Sequence, residues 1–385
     1  MNPFELSLPS KITFGAGCAD KLGAEVALHA KHVLLVSGGN PDRIKNVLCS
    51  LKTSGVAATF CVVKGEPTLE AVRSGVRLAQ KAGCSGVVAV GGGSVIDAAK
   101  AIAAMAANPG DLMDYLEIIG QGRPLTKEPL YFAAVPTTAG TGSEATRNAV
   151  LTSNEHRVKV SLRHPSMVPK VVLLDPSLTL TLPPDVTAST GMDALTQLLE
   201  SFTCRNPNSF TDSLCREGLK LVARSLPKAY ADGKDLEARS DMLLAAHFSG
   251  QALANARLGA VHGFTAALGG MYKASHGALC AALLPTVTMA NLKALAERSP
   301  ENPSRERYAE VARILTGKKD AKAEDTAEYC EKLRASMKIP TLAQQGVQKD
   351  DFETLADRTS RASSMKGNPV DLTMEELVGI LGAAF

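Results

Sequence analysis

The chain has 385 residues, 45% of them hydrophobic, with 42 basic against 39 acidic residues and a formal net charge of +3. This length and apolar content are enough for two domains with buried cores. The nearly balanced charge gives no strong field for nucleic acid or for an anionic membrane surface, so both are excluded as expected partners and small-molecule chemistry is favoured.

The sequence also bears on cell compartment. The N-terminus has no basic region followed by an apolar core and a cleavage site, and no apolar run reaches the ~18 residues needed to span a bilayer. We therefore expect a cytoplasmic protein with no membrane partner. The 8 cysteines form no C-x-x-C pair, which favours reduced, mostly buried thiols.

The first half of the chain alternates short apolar runs with helical stretches. The runs cover residues 33–36, 58–63, 86–90, 131–135 and 171–174. Continuous apolar runs indicate strands buried on both faces, as in a parallel sheet covered by helices. The sequence predicts an α/β N-terminal nucleotide-binding domain with a parallel sheet over residues 1–184.

The pattern changes after the breaker Leu182-Pro183-Pro184-Asp185. Strand-like runs disappear, and Ala, Leu, Glu and Lys dominate to the last residue. The polar segment 299–304 is predicted to be a loop between helices. We expect an all-α C-terminal domain over residues 185–385.

A glycine turn, Gly91-Gly92-Gly93-Ser94, directly follows the run 86–90. Without Cβ atoms, backbone N–H groups can close on a phosphate, and the helix that follows points the positive end of its dipole at the same place. The turn predicts a site for a nucleotide diphosphate. A tight strand-to-helix turn without a ligand is the alternative, because the segment is neither G-x-G-x-x-G nor a lysine-bearing P-loop.

The end of the first apolar run bears on cofactor choice. A carboxylate at this place usually binds the ribose hydroxyls of NAD and repels a 2′-phosphate, but the chain has Ser37, Gly38, Gly39 and Asn40 there. This favours NADP(H), with NAD(H) left open. Arg43 is close enough in sequence to reach a phosphate, although a solvated arginine on a helix surface is the alternative.

The helical half contains candidate metal ligands. Asp193 and Gln197 are spaced i, i+4, so both side chains leave one face of a helix. His262 and His276 are each followed by a glycine, which allows another group to approach closely. A carboxylate, an amide oxygen and two imidazoles can hold a divalent metal such as iron or zinc and leave a position for a substrate oxygen. Structural roles for the histidines, and a helix-surface role for Asp193, are the alternatives.

Taken in chain order, the glycine turn, the loop 136–144 and then Asp193, His262 and His276 resemble the iron-containing, or group III, alcohol dehydrogenase family over essentially the whole chain. The resemblance implies hydride transfer between NADP or NAD and a small alcohol or aldehyde. It implies that the catalytic residues Asp193, His262 and His276 hold a metal that polarises the reacting oxygen, in a metal and substrate domain. We also expect a homo-oligomer, such as a dimer.

The cofactor site follows from the same resemblance. In the family the glycine turn holds the pyrophosphate, and the threonine-rich loop contacts the adenine and nicotinamide ends. Hydroxyls after the run 131–135 also lie where α/β sheets bind ligands, with a polar turn as the alternative. The expected cofactor-binding residues are Ser37, Gly38, Gly39, Gly91, Gly92, Gly93, Ser94, Asp97, Thr137, Thr138, Thr141 and Lys159.

Two positions depart from the family pattern. Gln197 stands where many members carry a third histidine ligand, and an amide oxygen is a weaker donor than imidazole, so low metal affinity is expected. Ala266 stands where a histidine usually follows His262 by four residues, so a proton relay there must use water or another group.

Two other functions stay open at this point. One is a metal-independent reductase of the maleylacetate reductase type, and the other is a non-catalytic nucleotide-binding homologue. Retention of Asp193, His262 and His276 together disfavours both. The substrate is not identified by the sequence. Arg257 and Lys273 flank the two histidines and could bind a substrate carboxylate, with structural ion pairs as the alternative.

Overall fold

The computed structural model describes residues 4–156 and 158–385, and the chain divides into two compact units. The α/β unit is Ser7–Thr181, and the helical unit is Leu182–Phe385 together with residues 4–6. The predicted fold class is confirmed, because a parallel sheet with helices comes first and an all-helical part follows.

The α/β unit is built on a six-stranded parallel sheet in the order β1-β8-β5-β4-β2-β3, with a separate antiparallel hairpin of β6 and β7. Its strands are β1 (Lys11–Phe14), β2 (His32–Ser37), β3 (Ala57–Val62), β4 (Gly86–Gly91), β5 (Tyr131–Pro136), β6 (Asn148–Ser153), β7 (Val158–Arg163) and β8 (Val171–Leu174), and its α-helices are α1 (Leu22–Ala27), α2 (Pro41–Thr53), α3 (Leu69–Lys81) and α4 (Gly93–Ala107).

The five apolar runs all form strands, but the expectation that each is buried on both faces is wrong for β3. Every residue of β4 and β8 is buried, whereas β3 is the last strand of the sheet, and Phe60 and Val62 are 52% and 53% exposed. An edge strand has a neighbour on one side only, so its outer side chains lack the cover that central strands receive.

The helical unit begins with a proline in the first turn of a helix, where a missing N–H costs nothing. The segment between α9 and α10 covers 299–303, so the predicted loop is confirmed to within one residue. The α-helices are α5 (Pro184–Thr203), α6 (Ser209–Ala231), α7 (Leu236–Asn255), α8 (Ala260–Met271), α9 (His276–Arg298), α10 (Ser304–Thr316), α11 (Asp325–Ser336), α12 (Phe352–Ser360) and α13 (Met374–Ala384).

Helix α9 combines length with apolar composition to a degree that no other helix of the described residues reaches. By length and composition it could cross a membrane, with a mean hydropathy of 1.5 over its most apolar window, but 78% of that window is buried inside the protein. This burial is typical of a core helix of a globular unit.

The first turn of α9 lies directly against the backbone of α5. A Cβ atom at Gly277 would be 2.0 Å from the carbonyl oxygen of Ser189 and 2.6 Å from its carbonyl carbon. A backbone neighbour cannot rotate away as a flexible side chain can. Glycine is therefore required at this crossing, and the crossing sets where the first residues of α9 stand over α5.

We expect Gly277→Ala to lower the free energy of unfolding by about 2 kcal/mol or more, because the helices must separate to admit the methyl group. Gly379→Ala in α13 is the matched control, since its Cβ would meet nothing within 4 Å, and it should stabilise by about 0.5–1 kcal/mol through helix propensity. Urea unfolding followed by circular dichroism measures both. Equal stability of the two variants would contradict the requirement for glycine.

Candidate functional site

Apart from Asp97 and Lys159, the predicted cofactor residues lie at or just after the carboxyl ends of β2, β4 and β5. Strands β2 and β4 are neighbours in the sheet. The strand that follows β2 in sequence, β3, lies on one side of this pair, and the strand that follows β4, β5, lies on the opposite side. A crevice opens at such a switch point in parallel α/β sheets and is where their ligands bind. The segments after the two strands, 38–40 and 92–94, flank this point.

The glycine turn and the threonine-rich loop are in contact. A Cβ at Gly92 would be 3.1 Å from the Thr138 side chain, and a Cβ at Gly93 would be 2.6 Å from Thr141 Oγ1. The backbone N–H of Thr137 also donates to the Gly91 carbonyl at 3.0 Å. The turn thus needs glycine in order to receive this loop.

The segment after β2 reaches the same region. Within 4 Å of a Cβ at Gly38, the described residues offer one atom, Val95 Cγ2 of α4 at 4.0 Å, while Gly39 has a φ of +89°. Ser37 is buried, and its hydroxyl accepts from the Gly39 N–H at 3.4 Å. Ser94 lies in the first turn of α4. The structure therefore brings together the residues predicted after β2, β4 and β5.

Two predicted cofactor residues are engaged within the α/β unit. Asp97 accepts hydrogen bonds from the Ser143 hydroxyl and, at 3.0 Å, from the Val150 N–H. Burial raises the pKa of the Asp97 carboxyl, and the buried Lys100 ammonium at 3.7 Å opposes this rise. Asp97 thus ties α4 to the loop after β5 and to β6.

Lys159 on β7 pairs with the Glu66 carboxylate at 3.1 Å. Contact of Lys159 or Asp97 with a cofactor stays a prediction.

In the helical unit, Asp193, His262 and His276 come together from three helices. The Oδ1 atom of Asp193 on α5 lies 3.5 Å from Nε2 of His262 on α8 and 3.6 Å from Nε2 of His276 on α9. Asp193 is buried, and the His276 side chain is 36% exposed. The sequence analysis identified these three residues as candidate ligands, and the structure shows that their side chains lie close together.

Glu200 was missed by the sequence reasoning. Its Oε2 atom lies 2.6 Å from His262 Nδ1, and its Oε1 atom accepts from the Val261 N–H at 2.7 Å. A carboxylate behind a histidine fixes the ring and leaves Nε2 to bind a ligand. Its position could have been inferred from sequence spacing, because Glu200 follows Asp193 by seven residues and so lies two turns along the same face of α5.

Cys280 was also missed. Its Sγ atom lies 3.7 Å from Asp193 Oδ1 and 3.8 Å from His276 Nε2. One ligand atom from each of Asp193, His262, His276 and Cys280 falls within 4.8 Å of all the others. The signal was again spacing, since Cys280 is four residues after His276 on the same face of α9.

Gln197 makes two hydrogen bonds. Its Nε2 donates to Asp193 Oδ1 at 3.2 Å, and its Oε1 accepts from the Ser249 hydroxyl of α7 at 2.9 Å. The amide nitrogen, rather than the oxygen, is therefore the end turned to the Asp193 carboxylate. Metal coordination by Gln197 stays a prediction.

The charges of the cluster depend on one another. Burial raises the pKa of the Asp193 carboxyl, but His276 and His262 favour the ionised form and hold this pKa below its usual value. Burial lowers the pKa of His262, and Glu200 and Asp193 outweigh it and raise that pKa to about 9. Burial raises the pKa of the Cys280 thiol well above its usual value, and Asp193 adds to the rise. The carboxylate is thus ionised at neutral pH.

The donor set fits a divalent metal ion. Among the residues that the structure describes, His262 Nε2 is buried without a hydrogen-bond partner, although Glu200 holds the other ring nitrogen. This nitrogen faces the Asp193 carboxylate at 3.5 Å, so a metal ion could be shared by the two groups. A carboxylate, two imidazoles and a thiol are all common ligands of iron and zinc.

Comparison with known proteins places the chain in a family. A profile described as "Iron-containing alcohol dehydrogenase" matches residues 9–176, and one described as "Fe-containing alcohol dehydrogenase family, C-terminal" matches residues 187–385. Alcohol dehydrogenase 4 of Saccharomyces cerevisiae is 37% identical over 329 residues, covering 85% of this chain and 83% of that protein. The NAD-dependent methanol dehydrogenase of Bacillus methanolicus is 31% identical over 385 residues, covering 97% and 98%.

Comparison with solved structures supports the same family. A crystal structure of 1,3-propanediol oxidoreductase superposes with a TM-score of 0.92 at 32% identity, covering 100% of both chains. The matches span both units, and they confirm the resemblance drawn from the motifs. The chain belongs to the iron-containing alcohol dehydrogenase family and is an oxidoreductase of the alcohol dehydrogenase type.

Proposed function

We propose that this enzyme is a metal-dependent, NADP(H)-linked alcohol dehydrogenase or aldehyde reductase that acts on small alcohols or aldehydes. The buried Nε2 atom of His262, which has no hydrogen-bond partner and lies 3.5 Å from Asp193, supports the metal most directly. The chemistry supplied at such a site is Lewis-acid polarisation of the alcohol or carbonyl oxygen while a hydride is exchanged with the nicotinamide.

Five side chains at this site then have a role, namely Asp193, Gln197, Glu200, His262 and His276. Asp193, His262 and His276 bind the ion, and Glu200 keeps the Nε2 lone pair of His262 directed at it. Gln197 holds the Asp193 carboxylate through its amide N–H. Ala266 cannot carry a proton, so proton exchange with the substrate oxygen uses water or another group.

The cofactor is assigned to the N-terminal domain, residues 1–184, and the metal and substrate to residues 185–385. The N–H groups of the glycine turn and the first turn of α4 bind the pyrophosphate, and Thr138 and Thr141 border it. The close packing of the threonine-rich loop on the turn supports this assignment.

The preference for NADP(H) rests on the residues after β2. Gly38 and Gly39 offer no carboxylate to grip ribose hydroxyls, and the Arg43 guanidinium in the first turn of α2 has a buried Nε atom without a hydrogen-bond partner in the described residues. A 2′-phosphate would engage this cation. The methanol dehydrogenase of Bacillus methanolicus is named as NAD-dependent, so NADP(H) is proposed from this chain's own residues.

The remaining expectations stand as parts of the proposal. We propose a cytoplasmic homo-oligomer, and we leave the substrate open within small alcohols and aldehydes.

Arg257 and Lys273 are both exposed, and their binding of a substrate carboxylate stays a prediction. The clustering of four potential metal ligands, Asp193, His262, His276 and Cys280, disfavours a metal-independent reductase and a non-catalytic homologue. Metal analysis of the purified protein, together with NADPH oxidation over a panel of short aldehydes, tests the proposal.

We expect His276→Ala to lose bound metal and to lower kcat by about 10²-fold or more, because several kcal/mol of oxygen polarisation disappear. Nucleotide affinity should change little, since the proposed cofactor residues belong to the other unit. Metal content, turnover and NADPH fluorescence titration measure the three quantities, with the exposed His29→Ala as control. Turnover by His276→Ala equal to that of the metal-loaded parent would rule out the metal's role.

We expect Gly38→Asp to shift the ratio of kcat/KM for NADP to that for NAD towards NAD by about tenfold or more, because the carboxylate repels the 2′-phosphate and accepts from ribose hydroxyls. The Cβ position has room, with Val95 Cγ2 at 4.0 Å. Gly38→Asn, which lacks the charge, is the matched control and should shift the ratio less. A parent enzyme that already prefers NAD strongly would overturn the assignment to NADP(H).

A further inference from the structure

Cys280 is the one member of the cluster for which the proposed function gives no role. Its thiol is completely buried on α9 and directed at the Asp193 carboxylate, with Oδ1 3.7 Å away. Because His276 and Cys280 are one helical turn apart, both face Asp193. The Gly277 crossing, which places this first turn of α9 on α5, brings both side chains to the same spot.

Four of the six separations between the donor atoms are close to those of a tetrahedral metal site. With metal-to-ligand distances of about 2.0–2.3 Å, neighbouring ligand atoms of a tetrahedron are about 3.3–3.7 Å apart. The distances from Asp193 Oδ1 are 3.5 Å to His262 Nε2, 3.6 Å to His276 Nε2 and 3.7 Å to Cys280 Sγ, and the Cys280 and His276 ligand atoms are 3.8 Å apart. The other two separations are within 4.8 Å.

Gln197 and Glu200, two further polar side chains beside the cluster, are committed elsewhere. Gln197 has its oxygen on the Ser249 hydroxyl and its nitrogen on Asp193, and an amide nitrogen is not a metal ligand. Glu200 uses its two oxygens on His262 and on the Val261 N–H. Cys280 Sγ is therefore the donor best placed to complete the set.

We propose that Cys280 is the fourth protein ligand of the metal, in an Asp-His-His-Cys set, and that the site favours a thiophilic ion such as zinc over a hard ion such as manganese. This rests on the proposed function for the other three ligands. Thiolates select soft and borderline ions, whereas carboxylate and amide oxygens do not. Four protein ligands would leave a fifth position for a substrate oxygen, since zinc sites allow five-coordination.

The bond changes on metal binding are simple. The S–H bond of Cys280 breaks, a sulfur-to-metal bond forms, and the proton passes to solvent, with no change in oxidation state. In the alternative with Gln197 as the fourth ligand, no proton leaves at this position and the Ser249 hydrogen bond to Oε1 must break instead.

Cobalt substitution separates the two arrangements. One equivalent of Co²⁺ added to the metal-free parent should give a sulfur-to-cobalt charge-transfer band in the near ultraviolet. Cys280→Ser should still bind Co²⁺ but lack the band. Cys330→Ser, which removes another buried thiol of the helical unit, should keep the band, as should Gln197→Leu.

Affinity adds a second readout. In competition with a chromophoric chelator, Cys280→Ser should weaken zinc binding by about tenfold or more while changing manganese binding much less, because only zinc gains from the softer donor. X-ray absorption of the zinc-loaded parent needs no variant, so misfolding of Cys280→Ser cannot obscure the answer. It should show one sulfur at about 2.3 Å.

The outcomes distinguish this proposal from the proposed function. Stoichiometric metal binding that is lost in His276→Ala, but with no sulfur in the absorption spectrum and no charge-transfer band, overturns Cys280 as a ligand and leaves the metal enzyme intact. A band that persists in Cys280→Ser also overturns it. Failure of the parent to bind Co²⁺ or Zn²⁺ at all overturns both.

Discussion

The buried carboxylate of Asp193 is the constraint on which the metal side of this enzyme depends. An ionised group in a protein interior is stable only when donors or cations surround it, and removing one partner leaves a costly charge behind. Here Gln197 supplies an N–H from the same helix, and His262 and His276 approach from α8 and α9. The partners of Asp193 come from three different helices. A shift of one helix would therefore disrupt both the helix packing and the contacts that stabilise the buried carboxylate.

Glycine serves the two units in a similar way. In the α/β unit, Gly92 and Gly93 accept the side chains of Thr138 and Thr141, so a loop predicted to contact the cofactor rests on the turn predicted to bind its phosphates. In the helical unit, Gly277 accepts the backbone of α5 and sets two donor atoms over a carboxylate. In both places a missing Cβ allows a second segment to approach, which is a different use from the left-handed backbone conformation that glycine also permits.

Much of this organisation is readable from the chain. The strands that became β2, β4, β5 and β8 have continuous apolar runs, which a central position in a parallel sheet requires. β1 and β7 were not predicted because their apolar residues alternate with polar ones over short lengths, and β6 because its apolar run, 149–151, covers only three residues. The exposure of β3 was missed because an edge position is decided by neighbours rather than by composition. Likewise, Glu200 and Cys280 carry no motif of their own, and their importance depends on which helix faces Asp193.

Gln197, in place of the histidine that the family resemblance implies, bears on how the surrounding helices can maintain a set of metal ligands. A histidine there, as the family resemblance implies for many members, would reach the ion from α5, one turn along from Asp193. With glutamine, the side chain instead bridges Asp193 and the Ser249 hydroxyl, which preserves the placement of the carboxylate while giving up a donor. Cys280 reaches the same carboxylate from α9. Because several side chains from different helices converge on one oxygen atom, the number of ligands can stay constant while the donor moves from one helix to another. With Cys280 as the proposed ligand, the donor set would be softer, and the preferred ion would change with it.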